Sequence, residues 1–597
     1  MSDRHAPRRL LLAIGALSGL IVAVVALGVA ELVAGLHRSW RSPILDVGDR
    51  VIDNVPPAIK DLAIEWFGTQ DKLALLIGIG VLLAIFAAAI GVATAVGRIR
   101  LAMVGIAAFG VIGVTLAVTR PVSGSIDDAL PTLIGVTLGA AALAVADRVV
   151  LARLHHDVQV PTTGEVPAVK PAVVSALVPA VMPTEVAPDA TPAMTPAVVD
   201  DVRAGVSNVE LTAPSSVERR DETARPSATV SRRDVLVRGG GVLAALAVFG
   251  AGAGAVGRAI RSRFSAAESR AALALPTPSA SAGPVPAGVE IGSSTGVNGI
   301  APFFTPNDEF YRIDTALEVP QLPTDAYELR VTGMVDRPLR LSFDDLLTRD
   351  VVEHDITLTC VSNTIGGELV GNARWLGVRL DELLAEAGVQ AGATQVVGRS
   401  IDGYTCGFPV EAATDGRNAL VAFGMNGEPL PFEHGFPVRL IVPGLYGYIS
   451  ATKWLVEIEL TTFEDFEQYW VPRGYADRAP VKLMSRIDSV DGLGTLTVGP
   501  DGTAAIGGVA WAQTRGISAV EVQIDDGSWE AAELGDALND DTWRQWAYRF
   551  TPSGTDRTRT SIRCRAIDGS GVIQTDERSE PLPDGASGQH QIVVFVE

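Results

Sequence analysis

Along the first quarter of the chain the hydrophobic positions fall in nearly unbroken runs, Leu10–Val29, Leu73–Val96, Leu101–Val118 and Leu130–Val145. Runs of roughly 20 apolar residues are long enough to cross a bilayer as helices. Small residues recur four apart in two of them, Ala87 with Gly91 and Ala95, and Gly135 with Gly139, which lets helix backbones approach closely. The pattern then stops. From Val158 to Thr229 the chain is Pro, Ala, Val, Thr and Glu without a period, too poor in burial to offset its ordering entropy, and a disordered linker is expected. A fifth apolar run lies in SRRDVLVRGGGVLAALAVFGAGAGAVG, Ser231–Gly257. Arg232 and Arg233 open it as a twin-arginine signal does, the alternative being an ordinary fifth helix flanked by arginines. Cleavage near Ala274 stays open. Gly252, Gly254 and Gly257 spell GxGxxG there, but no strand precedes them, which argues against a dinucleotide loop.

Past a Pro, Ser and Ala spacer the period changes to two. YELRVTGMV, HDITLTC, TQVVGRS, NALVAFGM and FPVRLIVPG read as strands, with helices at Phe343–Leu347 and Leu380–Ala387, an α+β pattern. From about Ala479 short alternating strands follow, AAIGGVAWA, AVEVQID, RQWAYRFTP, TSIRCRAID and HQIVVFVE, the texture of a β-sandwich. The expectation is a multi-domain chain: an N-terminal α-helical membrane bundle, an α+β domain and an all-β immunoglobulin-like sandwich. Its expected bounds are a four-helix unit at 1–150, a linker at 151–230, a signal or fifth helix at 231–264, a spacer at 265–300, the α+β domain at 301–478 and the sandwich at 479–597.

A mean hydropathy of +0.27 supports a membrane-embedded part. The net charge of −21 argues against a nucleic-acid partner, because phosphates need clustered Lys and Arg. Arg8, Arg9, Arg98, Arg100, Arg148 and Arg153 mark cytoplasmic ends. Arg38, Arg41, Arg50 and Lys60 in the first loop blur that signal, offset by Asp46, Asp49, Asp53, Asp61 and Glu65. We read both ends of the four-helix unit as cytoplasmic, in a bacterial-type cytoplasmic membrane, with everything after the fifth run on the outer face. The four runs hold no histidine, so haem between them is not expected. They also offer few polar groups for a transport path.

The three cysteines, Cys360, Cys406 and Cys564, form no CxxC and have no His at ligand spacing, which leaves no disulfide framework or zinc site but any one pair possible. Cys406 and Cys564 read as packed core thiols. Cys360 ends a strand in phase with Ile356 and Leu358 and precedes a Gly-rich turn. It is either a buried structural thiol or a soft metal ligand whose remaining partners come with a cofactor. His354 and His590 read as surface or satisfied core groups, Asp525 and Asp526 as turn residues, and Trp375, Trp511, Trp529, Trp543 and Trp546 as core or interface aromatics.

Here the residues carry a resemblance. TLTCVSN at Thr357–Asn363, MNGEPLPFEHGFPVRLIVPGLYGYISATKW at Met425–Trp454, and GGVAWA with VEVQIDDGSW at Gly507–Ala512 and Val520–Trp529 resemble the sulfite oxidase family of molybdopterin enzymes, over about Pro302 to Glu597. The resemblance implies a molybdenum–molybdopterin cofactor with Cys360 as metal ligand. It also implies Tyr311, Arg312, Asn363, His434, Arg439, Ala451, Thr452 and Lys453 as cofactor contacts, the backbone of Ala451 and Thr452 among them. Tyr475 is implied as an active-site proton or hydrogen-bond donor, and the C-terminal sandwich as a homodimer surface. A guanidinium such as Arg439 suits a phosphate by forking two hydrogen bonds; by residue type alone Arg439 and Lys453 read as solvated charges.

Departures bear on the substrate. Phe310 and Tyr311 are followed by Arg312 and Ile313, Asn363 by Thr364 and Ile365, and the late substrate-arginine region reads PLPDGASG. A dianion such as sulfite needs several positive donors to replace its water. The expected reaction is therefore two-electron oxygen-atom transfer on a small or protein-bound S-oxide or N-oxide outside the cytoplasm. The alternatives are sulfite-type oxidation at the same site, or a catalytically silent membrane-tethered scaffold. No HPGG-type haem loop is seen, so a separate electron-transfer partner, a cytochrome or a quinone-linked protein, is expected.

Overall fold

The computed structural model describes residues 6–38, 40–55, 66, 71–120, 125–151, 232–262, 265–552 and 557–597. The expected linker lies almost wholly outside them, as does Ser231.

Helices α1 (Ala6–Ala34), α3 (Asp71–Ala95), α4 (Ile99–Val118), α5 (Leu130–Ala146) and α6 (Arg232–Arg261) follow the apolar runs. Five helices in this region are long and apolar enough to cross a membrane. The sequence reading missed α2 (Pro43–Asn54), an amphipathic helix with Pro at its start, where the Ser42 hydroxyl accepts from Ile44 N at 3.3 Å. Such a cap satisfies one of the amides a helix start leaves without a partner.

Helix α1 is the hub, and glycine is what lets its neighbours reach it. A Cβ added at Gly91 would strike the backbone of Gly15 and Gly19, one at Gly135 the backbone of Ala26, and one at Gly28 the backbone of Gly250. Gly257 lies equally close to Glu31 on α1. The GxGxxG of α6 is thus largely a helix-packing stripe, since Gly254 and Gly257 face α1.

Two sheets share the central core, the first antiparallel and the second mixed, with β1 and β10 parallel. One runs β3 (Val351–Thr359), β4 (Val370–Arg379), β7 (Leu420–Met425), β8 (Glu428–Pro429), with β9 (Arg439–Ile441) also on β7. The other runs β2 (Leu339–Ser342), β1 (Glu328–Gly333), β10 (Leu455–Thr461), β5 (Gln395–Ser400), β6 (Thr405–Pro409). Helices α7 (Phe343–Leu347) and α8 (Leu380–Ala387) contribute buried Phe343, Leu346, Leu380, Leu383 and Leu384 to that core.

The C-terminal portion is β-rich throughout. One sheet joins β11 (Met484–Ile487), β13 (Ala504–Trp511), β17 (Arg544–Phe550) and β16 (Glu533–Leu534). The second joins β12 (Thr495–Leu496), β19 (His590–Val596), β18 (Thr558–Asp568), β14 (Ile517–Ile524) and β15 (Glu530–Ala531). Their facing side chains, including Ile506, Val520, Trp546 and Ile562, form a second core. Met484, Val509, Trp511 and Trp543 belong instead to the central core, so the two portions are packed as one surface.

That packing changes the expected character of β3. Alternation left Thr357 and Thr359 for a polar face, yet both are buried. The Thr357 hydroxyl donates to Asn372 Oδ1 and accepts from Trp543 N, and Gln513 donates to Thr357 O at 2.9 Å. Trp529 is half-buried, with the guanidinium groups of Arg563 and Arg565 over its ring at 5.2 and 4.2 Å.

Candidate functional site

Strand pairing delivers Cys360 to its position. Thr359 pairs with Val370 in the last rung of β3 and β4, and Cys360 N continues the ladder to Leu369 O at 2.9 Å. Asn363 closes the following turn: its N donates to Cys360 O at 3.1 Å, and its Oδ1 accepts from Leu369 N at 2.9 Å. The thiol is buried, and burial pushes its pKa up, opposed by hydrogen bonds from Ser362 and by the charge of Lys453. Tyr311, Tyr404 and Tyr446 all lie close enough to feel charge at Cys360. Burial is the main cause that pushes the pKa of each of these phenols up.

A cationic group adjoins this wall. His434, in the short turn before β9, has Nε2 2.8 Å from Asn307 O, so the ring carries its proton there. Burial, then the charge of Arg439, pull its pKa down to about 4. Phe310 stacks on Tyr311 and meets Trp375 and His434 edge-on, tying the two sides together.

Arg439, on β9, is 5% exposed and lies over the Trp375 ring at 5.0 Å. Its Nη1 donates to His434 O at 3.1 Å, while its buried Nε has no partner. Among the described residues no carboxylate reaches it within ion-pair distance, and burial draws its pKa down to about 10. A buried ion without a partner costs several kcal/mol. The geometry therefore fits a site for an anion.

Lys453 donates to Asp314 Oδ2 at 2.7 Å and Glu433 O at 3.0 Å. Burial draws it down to about 8 against the pull of Asp314, which leaves it protonated at neutral pH. Burial opposes ionisation of Asp314, yet Lys453, Arg312 and Lys72 hold its carboxyl well below the usual range. By residue type Arg439 and Lys453 were solvated charges; the fold buries both.

Other expected contacts are placed less simply. Arg312 is 39% exposed and donates to Asp314 Oδ2 at 2.8 Å. Ala451 N is spent on Gly447 O, and the Thr452 hydroxyl reaches Cys406 Sγ at 2.7 Å and Gly398 O. The Ala451 amide thus closes a turn beside Lys453. Tyr475 packs against Tyr448 and Trp470 at ring distances of 5.4 and 5.2 Å, while the Tyr448 hydroxyl donates to Ala476 O. His354 is satisfied by Asp541 and Asn418, and the half-buried His590 accepts at Nδ1 from Ile487 N. All three cysteines are free and buried, which removes the disulfide option. Sequence reasoning missed Asp314, Tyr404, Tyr446 and Lys72. Asp314 stood within NDEFYRID, three residues from Tyr311; Lys72 left no local signal.

Residues 316–470 match the oxidoreductase molybdopterin binding domain. The chain is 36% identical over 149 residues to the uncharacterized oxidoreductase YuiH of Bacillus subtilis, which spans 25% of this chain and 72% of that one. The chain belongs to the sulfite oxidase family of molybdopterin-dependent oxidoreductases. It is also 31% identical over 318 residues to mitochondrial sulfite oxidase of Homo sapiens, over 46% of this chain and 58% of that one. It thus spans somewhat more than half the length of the mammalian sulfite oxidases it matches. Among solved structures it is similar to the sulfane dehydrogenase SoxCD of Paracoccus pantotrophus, at 22% identity and a TM-score of 0.41, covering 50% of this chain and 84% of that one.

Membership of this family implies a molybdenum cofactor, and the residues present fit one. Arg439 offers an orphaned buried donor, and Cys360 a buried thiol. Among the described residues no group of three His, Cys, Asp or Glu could hold a metal without outside ligands.

Proposed function

We propose that the protein is a membrane-anchored molybdopterin oxidoreductase that transfers an oxygen atom to or from a neutral S-oxide or N-oxide type substrate outside the cytoplasm. The observation that carries this reading is Arg439: a fully buried guanidinium with an unused donor, in the family's binding segment and beside the aromatic group that backs Cys360. When bound, the cofactor supplies the two-electron oxygen-atom chemistry. Cys360 would hold the metal; Arg439 and Lys453, with Tyr311, His434 and the weaker contacts Arg312, Asn363, Ala451 and Thr452, would hold and orient the pterin and its phosphate. Tyr475 would hold a proton at its hydroxyl for delivery to substrate.

The neutral substrate is supported by the region where the family carries its late arginine. There Asp584 accepts from Lys482 Nζ at 2.8 Å, and Lys482 also donates to Gly585 O, beside the buried Tyr446 ring. Lys482 is spent there and a carboxylate is added, which disfavours a dianion.

Five apolar helices support membrane anchoring, and the alternating chain direction places their contacts with the β-rich portion at one end. At that end Arg41 pairs with Asp49, and Arg120 with Asp46 and Asp128. The pairing of Arg41 with Asp49 supports an outward-facing first loop despite its basic residues. The two C-terminal sheets support the reading of 479–597 as an immunoglobulin-like sandwich offering a dimer surface, beside a cofactor domain at 301–478. Electrons would pass to or from a separate cytochrome or quinone-linked protein.

The test is the molybdenum and pterin content of the full chain, made in a host that synthesises the cofactor, beside Cys360→Ala. About one molybdenum per chain, lost in the variant while pterin remains, is expected. A folded wild-type chain without molybdenum overturns the reading. Dye-linked assays with S-oxides, N-oxides and sulfite then decide the substrate, and turnover of sulfite alone would refute the neutral class.

A further inference from the structure

The loop 310–317 joins two parts of the molecule that the sequence keeps more than 200 residues apart. Tyr311 stands beside Cys360, and Asp314, whose side chain is only 4% exposed, follows three residues later. Its carboxylate is shared by three cations: Lys453 Nζ at 2.7 Å, Arg312 Nε at 2.8 Å and Lys72 Nζ at 2.6 Å. Lys72 lies in the first turn of α3 and also donates to the backbone oxygens of Asp314, at 3.0 Å, and Ala316, at 2.8 Å. An ammonium has three protons, and all three find acceptors on this one loop.

The neighbouring helix seals the same segment. Leu317 lies against Gly48 of α2 so closely that a Cβ there would strike it. Asp49, on the next residue of α2, feels the charge of Asp402, which itself feels Asp314 and Lys453. Three basic side chains, Lys72, Arg312 and Lys453, thus gather around one ionised carboxylate, and the helical region supplies one of them.

We infer that the helical region clamps the anionic end of the cofactor, with Lys72 as a positioning residue that acts through Asp314 on Lys453 and Arg312. This rests on the proposed function. Lys72 fixes the loop backbone and shares the Asp314 carboxylate, so that Lys453 is held where it faces an anion beside Arg439. Without Lys72, Asp314 has two cations instead of three and its loop loses three hydrogen bonds, so Lys453 and Arg312 are drawn more tightly onto Asp314 and away from the phosphate. The helices therefore retain cofactor as well as anchoring the chain.

The test uses the full chain in detergent, loaded with cofactor, as wild type, Lys72→Met and Lys72→Arg, with Arg38→Met as a control at the more exposed pair with Asp325. Pterin released on dilution is followed by its fluorescence after oxidation, molybdenum by elemental analysis, and cofactor-free protein by its melting temperature. We expect Lys72→Met to release pterin about tenfold faster, Lys72→Arg to restore most of the retention, the control to match wild type, and cofactor-free melting to be unchanged. Wild-type release by Lys72→Met overturns the inference, and so does a fall in cofactor-free melting that accounts for the loss. A wild-type chain that carries no pterin fails earlier, at the proposed function.

Discussion

Around Cys360 the wall is made of phenols and a serine, whereas around Arg439 it is made of guanidinium, ammonium and imidazole groups. Both regions are buried, so water cannot pay for charge in either. The thiol region avoids that cost by staying neutral, since burial pushes the pKa of Cys360 and its tyrosines up. The cationic region accepts it, and Arg439 is left without a counter-charge. A fold tolerates such a penalty of several kcal/mol where a ligand removes it. One region is thus suited to a metal that displaces a proton, the other to an anion already formed.

The largest expected effect breaks the first region alone. Cys360→Ala should cut turnover by roughly 10³-fold or more, over 4 kcal/mol of barrier, with molybdenum lost and pterin retained. Simultaneous loss of both would mean that the two regions do not act separately.

Arg439→Met tests the second region through a change of sign. Cofactor affinity should fall by about 2–5 kcal/mol, as for truncation of a buried charged partner, while the cofactor-free protein gains about 1–4 kcal/mol in denaturant melts because the unpaired ion is gone. A variant destabilised in both states would show that the guanidinium serves packing.

Tyr475→Phe should lower kcat roughly 10²-fold and leave metal and pterin content at wild-type levels. Unchanged kcat would move the proton donor elsewhere, with Tyr446 the next phenol to test because it senses charge at Cys360.

The smallest effect is one of pH. His434 takes its proton near 4 in the folded chain and near 6.5 when unfolded. Between those values the unfolded state binds more protons, so stability falls as pH falls, by at most about 1.4 kcal/mol per unit. His434→Gln should flatten that slope in the cofactor-free protein. In loaded protein the phosphate should raise the folded pKa and shrink the slope already in the wild type. Equal slopes in the two forms would place the anion away from His434.

Much of this was legible because it is local. Apolar runs gave α1 and α3 to α6, alternation gave β3, β7, β14 and β18, and the stretch from Met425 to Trp454 drew His434, Arg439 and Lys453 together as candidates. What stayed hidden depends on partners distant in the chain. Thr357 and Thr359 are out of phase with the apolar face of β3, and Gln513 and Trp543, which bond them, lie more than 150 residues away. That the Ala451 amide is taken up by Gly447 O was likewise not visible from residue type.

The sequence alone determined the order of elements and the residue types at the candidate site, since helix and strand periods and a strand-ending cysteine are properties of neighbours along the chain. Tertiary structure alone decided the charge balance there. Whether a cation is paired or bare, as with Lys453 beside Asp314 and Arg439 beside none, depends on which distant groups share its low-dielectric surroundings. Lys72 reached the site only through the docking of α3 against loop 310–317.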